Sequence, residues 1–135
     1  MAEPNFRRNI SGLYAERGVW RDSAGNHGEL NGSVSIVHDA QKLVFEYADG
    51  ERHSSALTAG ATHVPLAGRN ISGMLYLGDD SLILEYDADV KGRPERNTDV
   101  WVFQGDLIHR VGAIHQADRT IWFEASMVRS ATGSI

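Results

Sequence analysis

Asp99 and Arg110 are charged residues that the sequence places on an otherwise apolar face of its last strands. If Gly105-Asp106 forms a hairpin turn, Trp101 lies directly opposite Arg110, and Asp99 lies diagonal to it. A guanidinium in apolar surroundings needs an anionic partner, which Asp99 supplies, and it can also stack on the Trp101 ring. Such a group could bind a carboxylate, carbonyl or phenol of a ligand. The same pair could instead be structural and lock the sheet.

Tyr47, Tyr86 and Phe123 are further candidate ligand-binding residues, because they share the predicted interior face with Trp101. A phenol can donate a hydrogen bond to a ligand carbonyl without carrying charge. The alternative for both tyrosines is amphipathic packing at strand ends. Arg52, expected opposite Tyr47, is predicted at the rim of the same face.

An enzymatic role is the alternative to simple binding. In that case Asp99 or Glu124 would act as the base, and Tyr86 or Arg110 would stabilise developing negative charge. Glu124 falls on the opposite parity, so it becomes a candidate only if the strand register slips by one residue. The sequence contains no nucleophile elbow, phosphate loop or dinucleotide fingerprint.

The six histidines show no metal-ligand spacing. His109 and His115 share a strand face but lie about 20 Å apart by strand rise, too far to share a metal. We therefore expect no metal site and no cofactor. Haem, which needs one histidine, stays an alternative.

Alternation of apolar and polar residues along most of the chain predicts the elements that position these side chains. The pattern predicts about eight to ten antiparallel strands, and short connections favour an up-and-down β-barrel over a sandwich. The all-β chain is expected to form a single domain, residues 1–135.

Turn residues fix the expected registers. Asp49-Gly50 predicts a two-residue type I′ turn that pairs Tyr47 with Arg52. The turn at 78–80 pairs Leu75 with Leu84. The final meander pairs Phe103 with Ile108 and Gly112 with Phe123.

Four segments fit the strand pattern less well. Residues 1–16 are predicted to hold a short helical segment, on the spacing of Phe6, Ile10, Leu13 and Tyr14, that acts as a plug or an arm. Residues 58–72 are predicted to be a longer loop with a short strand near 62–64. Residues 91–96 are expected to form a charged loop, and residues 130–135 a C-terminal tail.

Composition narrows the function classes. The chain has 135 residues, a net charge of −5 and no cysteine. An acidic chain without a basic patch argues against nucleic acid as a partner. The absence of an apolar leader or of an apolar run of ~20 residues predicts a cytoplasmic protein that does not insert into membranes. Trp122 and Val128 on the outer face leave both a monomer and a homodimer open.

Gly18-Val19-Trp20 resembles the G-x-W that opens the first strand of lipocalin-like, or calycin, barrels. The resemblance implies that Trp20 packs across the closed end of the barrel against a late-strand cation, with Arg129 first and Arg110 second. It also implies an interior that holds a small hydrophobic or amphipathic molecule.

These patterns together predict a lipocalin-like barrel that binds a small, mostly apolar molecule with one polar end. A cofactor-free isomerase, cyclase, dehydratase or hydrolase is the alternative. A structural or protein-interaction module is the second alternative, and its mark would be a filled interior with an apolar patch outside.

Overall fold

A closed antiparallel barrel of ten strands forms from residues 9–130, the part of the chain that the computed structural model describes. Each strand pairs with its chain neighbours, and the first pairs with the last, so the barrel is up-and-down as predicted. Within this part of the chain, every strand has a hydrogen-bonded neighbour on each side, and β4 and β5 share only two residue pairs. The strands are β1 (Gly12–Asp22), β2 (His27–His38), β3 (Lys42–Tyr47), β4 (Arg52–Ala56), β5 (His63–Gly68), β6 (Ile71–Leu77), β7 (Ser81–Val90), β8 (Arg93–Gln104), β9 (Leu107–His115) and β10 (Thr120–Arg129).

The predicted register of the last three strands is confirmed. Trp101 lies opposite Arg110, and Gly112 lies opposite Phe123. Leu75 also pairs with Leu84 across β6 and β7, as expected. A strand has a side-chain period of two, so these pairings put the predicted interior residues on one face.

The predicted register of the β3–β4 hairpin is wrong by one residue. The loop has three residues, 48–50, with Gly50 at a φ of 91° and the Tyr47 amide donating to the Glu51 carbonyl at 2.9 Å. Asp49 does not adopt the positive φ that a type I′ turn requires. Phe45 therefore lies opposite His53, which faces inward, and Arg52 faces solvent with 63% of its side chain exposed.

The predicted N-terminal helical segment is also wrong for the residues that the structure describes. Leu13 is exposed and Tyr14 is buried within β1, an alternation that suits a strand paired on both sides. Ile10 is buried just before β1, while Phe6 lies outside the described residues. Among residues 9–130, no helix is long and apolar enough to cross a membrane.

Two segments predicted to be loops contain strands. Residues 63–68 form β5, which turns at residues 69–70 into β6. Lys91 and Gly92 have φ of 53° and 81°, and Val90 pairs with Arg93 across this two-residue turn. The strand β8 therefore begins within the segment that was predicted to be a charged loop.

The apolar core fills the end of the barrel at which β1 begins and β10 ends, which we call the closed end. Tyr14 is buried there, and its hydroxyl donates to the Ile10 carbonyl at 2.9 Å. The Trp101 ring is fully buried and meets the edge of Phe45, with centroids 5.0 Å apart. The opposite end carries the turns after β1, β3, β5, β7 and β9 and is called the open end.

Candidate functional site

Arg110 lies at the centre of a buried ion cluster in the barrel interior, next to the Trp101 ring. Its Nε and Nη2 donate to the Asp99 carboxylate at 2.9 and 2.6 Å, and its Nη1 donates to Glu16 Oε2 at 2.7 Å. Asp99 is 2% exposed and Glu16 6% exposed. We call Arg110, Asp99 and Glu16 the Arg110 cluster. Charge-assisted bonds of this length satisfy the buried charges and fix the guanidinium plane.

Aromatic rings surround the same guanidinium. Its Cζ lies 4.8 Å from the ring centroid of Phe123, 5.4 Å from that of Trp101 and 6.0 Å from that of Tyr47. Burial alone would lower the pKa of Arg110, but the Asp99 carboxylate outweighs it and raises that pKa above its ordinary value. Arg110 is therefore a permanent cation held between carboxylates and π faces.

Phe123 reaches this position because the residue opposite it is glycine. A Cβ added to Gly112 would lie 2.4 Å from Cζ of Phe123 and 2.6 Å from the Thr98 carbonyl oxygen. Neither distance is compatible with a side chain, so Gly112 lets the ring lie flat against the strand.

Glu16 is a site residue that the sequence reasoning missed. The apolar residues of segment 1–16 have helical spacing, which predicts a helix there instead of a strand. Tyr14, Glu16, Gly18 and Trp20 share one parity of β1, and this pattern could have identified Glu16 as an inward residue. With Glu16 included, the Arg110 cluster holds two carboxylates and one guanidinium.

His53, the second missed residue, lies between Tyr47 and Tyr86. The ring centroids are 4.9 and 5.1 Å apart, each in an edge-on arrangement. His53 is 5% exposed, and its Nδ1 has no hydrogen-bond partner within residues 9–130. The same holds for Tyr47 Oη and Trp101 Nε1. Buried polar atoms normally have partners, so His53 Nδ1 and Tyr47 Oη, whose residues line a cavity, are available to a bound molecule.

Burial sets the protonation states of this aromatic group. It lowers the pKa of His53, which keeps the imidazole neutral at neutral pH. It raises the pKa of Tyr47 and of Tyr86, which keeps both phenols protonated. The group therefore offers neutral hydrogen-bond donors and acceptors beside the charged cluster.

Two chambers at the open end meet at Leu30 and Arg110. The polar chamber, of about 540 Å³, is lined by Tyr47, His53 and Tyr86 together with carboxylates of the rim. The apolar chamber, of about 340 Å³, has walls formed by the side chains of Trp20, Leu30, Ile114, Ile121 and Phe123, and Arg119 and Arg110 also line it. One end of the barrel is thus packed, and the other is hollow.

The predicted pairing of Trp20 with Arg129 is wrong. Antiparallel pairing of β1 and β10 puts Trp20 opposite Phe123 at the open end and Arg129 opposite Tyr14 at the closed end. The Arg129 guanidinium lies 5.4 Å from the Tyr14 ring centroid instead. Arg110, the second candidate partner, lines the same apolar chamber as Trp20. The Trp20–Arg129 contact that the G-x-W resemblance implied is therefore not seen.

The structure brings together most of the predicted ligand-binding residues. The Arg110 cluster contains Asp99 and Arg110, and the Trp101 ring lies against the Arg110 guanidinium. The side chains around them are those of Tyr47, Tyr86 and Phe123. Glu124 lies on the outer face and is exposed, because the register did not slip. It is thereby removed from the candidate bases. Among residues 9–130, no group of three or more His, Cys, Asp or Glu is placed to hold a metal ion.

Replacing His53 with phenylalanine is expected to reduce the pH dependence of stability. In the unfolded chain, His53 has a pKa of about 6.5, and burial lowers this pKa in the folded chain. The contribution of His53 to the free energy of unfolding is therefore fully present above pH 6.5 and decreases as the pH falls below this value, because the unfolded chain binds the proton more readily. The slope reaches at most about 1.4 kcal/mol per pH unit for one site. Urea unfolding at pH 8 and pH 5.5 measures the difference.

His38 serves as the reference for this prediction, because burial lowers its pKa too. Adding His38→Gln to His53→Phe should remove a further part of the pH dependence. An unchanged slope in the His53→Phe variant would show that His53 has the same pKa in the folded and the unfolded chain, which contradicts this prediction.

The sequence matches no protein-family model and no curated protein. Solved structures with a similar fold include the S-type phycobiliprotein lyase CPES from Guillardia theta, with a TM-score of 0.62, 13% identity, and coverage of 89% of this chain and 88% of that chain. A structure from the de novo design of transmembrane β-barrels has a TM-score of 0.52 and 8% identity, over 91% of this chain and 98% of that one. At such identities the likeness shows the fold alone. That fold is a closed antiparallel β-barrel, which the sequence pattern predicted.

Proposed function

We propose that this protein binds a small amphipathic molecule in the hollow, open end of its barrel. The observation that carries the proposal is the meeting of an apolar and a polar chamber at Arg110, beside buried polar atoms that have no hydrogen-bond partner among residues 9–130. A ligand with an apolar body and a polar end fits both chambers at once.

The apolar chamber supplies the driving force in this proposal. Covering apolar surface contributes roughly 25 cal/mol per Å² removed from water. Trp20 and Ile121 are half-buried, and both line the chamber, so they gain burial from an occupant. Pockets that bind small molecules combine such apolar walls with a few convergent polar groups.

In this proposal, the polar chamber determines the orientation of the bound ligand. His53 Nδ1 and Tyr47 Oη can each form a hydrogen bond that the described residues do not provide. The Arg110 cluster is held rigidly by its own bonds, so it presents a fixed charge pattern. That a solved structure with this fold is a phycobiliprotein lyase is consistent with use of the barrel interior for a small molecule.

A fluorescence titration with the neutral probe N-phenyl-1-naphthylamine tests the proposal. The probe should gain emission on binding to the purified 135-residue chain. Ile114→Trp should fill the apolar chamber and weaken binding by about tenfold or more, since it places a large ring where the probe would lie. Val111→Trp is the matched control, because Val111 lies on β9 but is 51% exposed on the outer face.

Either of two results would overturn the proposal. One is the absence of any emission change with the wild-type protein. The other is equal binding by the Ile114→Trp and Val111→Trp variants, which would place the probe outside the barrel.

A further inference from the structure

The charges that line the polar chamber are mostly negative. Its cations are Lys91 and Arg110. Its carboxylates outnumber them and come from Glu16, Asp49, Glu51, Asp89 and Glu95. Asp99 lies directly behind Arg110 and adds another negative charge. A cleft lined by one sign of charge concentrates ligands of the opposite sign.

Arg110 does not make the polar chamber attractive to an anionic ligand, because its positive charge is already paired with carboxylates of the protein. Each of its three nitrogens donates to a carboxylate, through Asp99 on one side and Glu16 on the other. A ligand carboxylate brought to Arg110 would therefore meet Glu16 and Asp99 as like charges at close range. The geometry disfavours the anionic ligand that the sequence alone left open.

A neutral buried acceptor provides a second, independent indication. His53 lines the chamber at 5% exposure, and its Nδ1 has no partner among the described residues. A neutral imidazole has one ring nitrogen that accepts a hydrogen bond. The rings of Tyr47 and Tyr86 flank it and line the same chamber. Acceptors, carboxylates and π systems together suit a cationic group that donates hydrogen bonds.

We propose that the ligand carries a cationic polar end, such as a protonated amine, which enters the polar chamber while its apolar body fills the apolar chamber. This inference rests on the proposed function and specifies its ligand class. The expected occupant is therefore a cationic amphiphile.

Competition against N-phenyl-1-naphthylamine at neutral pH tests the charge preference with three ligands of ten carbons: decylamine, decanol and decanoate. Decylamine and decanoate are used below their micelle-forming concentrations, and decanol below its solubility limit. Decylamine should displace the probe at the lowest concentration and decanoate at the highest. A difference of about tenfold or more between them is expected from charges that interact at the surface of a protein.

Substitutions of residues that line the polar chamber provide a second test of the charge preference. Glu51→Gln combined with Glu95→Gln should narrow the difference between decylamine and decanoate, because both residues line the polar chamber. Asp87→Asn is the matched control, since Asp87 lies on the outer face of β7 and pairs with Arg96. It should leave the order of the ligands unchanged.

The outcomes separate this inference from the proposed function. Equal displacement by all three ligands, or strongest displacement by decanoate, would overturn the charge inference and leave the pocket in place. An unchanged amine preference in the Glu51→Gln, Glu95→Gln variant would also overturn it. No binding of the probe to the wild-type protein would overturn the proposed function and this inference together.

Discussion

Arg110→Met should destabilise the protein by about 3–5 kcal/mol, the usual cost of removing one partner from a buried ion pair. The substitution leaves Asp99 and Glu16 buried inside the barrel without the cation that both carboxylates contact. Methionine fills part of the space but provides no hydrogen bonds. Urea unfolding at pH 7 measures the change.

The control for Arg110→Met is Arg96→Met, which removes an arginine from an exposed pair with Asp87. Exposed pairs contribute little to stability, so this variant should resemble the wild type. Adding Glu16→Gln and Asp99→Asn to Arg110→Met should restore part of the lost stability, because it removes the unpaired charges. Equal effects of Arg110→Met and Arg96→Met would contradict the assignment of Arg110 as a buried, doubly paired cation.

Trp101→Ala should destabilise the protein by a similar amount, about 3–5 kcal/mol. The indole is fully buried, contacts Phe45 at 5.0 Å between centroids and supports the Arg110 guanidinium at 5.4 Å. Its loss removes the floor between the packed core and the chambers, and the strands of a closed barrel cannot move inward far enough to fill the space.

Trp122→Ala is the matched control, because Trp122 lies on the outer face of β10 and is 43% exposed. It should lower stability much less, and guanidinium unfolding of both variants provides the comparison. A small effect of Trp101→Ala would show that the core does not depend on this floor.

The pairing register of the last three strands was predictable to the residue. The alternation through Trp101, Phe103 and Ile108 is regular, and Gly105 marks the turn, where it adopts a φ of 61°. A short turn between two regular strands leaves few registers open. The meeting of Asp99 with Arg110 followed directly from that register.

The register of the β3–β4 hairpin could not be predicted from its turn residues alone. Asp49-Gly50 suits a two-residue turn, but Gly50 also suits the last position of a three-residue loop. Which of these two turns forms depends on which side chains each register buries. The observed register puts the neutral His53 inside and leaves the charge of Arg52 in water, which avoids an unpaired buried cation.

The pairing of β1 with β10 could not be predicted from the residues of β1. Its pairing with β10 joins residues more than one hundred positions apart, as in Tyr14 with Arg129. No local pattern encodes such a contact, and the 3–4 spacing from Ile10 to Tyr14 imitated a helix. The same closure determines which end of the barrel Trp20 occupies, so the G-x-W motif alone could not place its partner.

The three tryptophans allow a direct test of the central claim, that the open end of the barrel binds an amphipathic molecule. Trp20 lines the apolar chamber, Trp101 contacts Arg110, which lines both chambers, and Trp122 lies on the outer face. The measurement is a proton–nitrogen correlation spectrum of the three indole groups during titration with N-phenyl-1-naphthylamine. We expect the Trp20 and Trp101 signals to shift several-fold more than the Trp122 signal. A shift confined to Trp122, or no shift at saturating probe, would contradict binding inside the barrel.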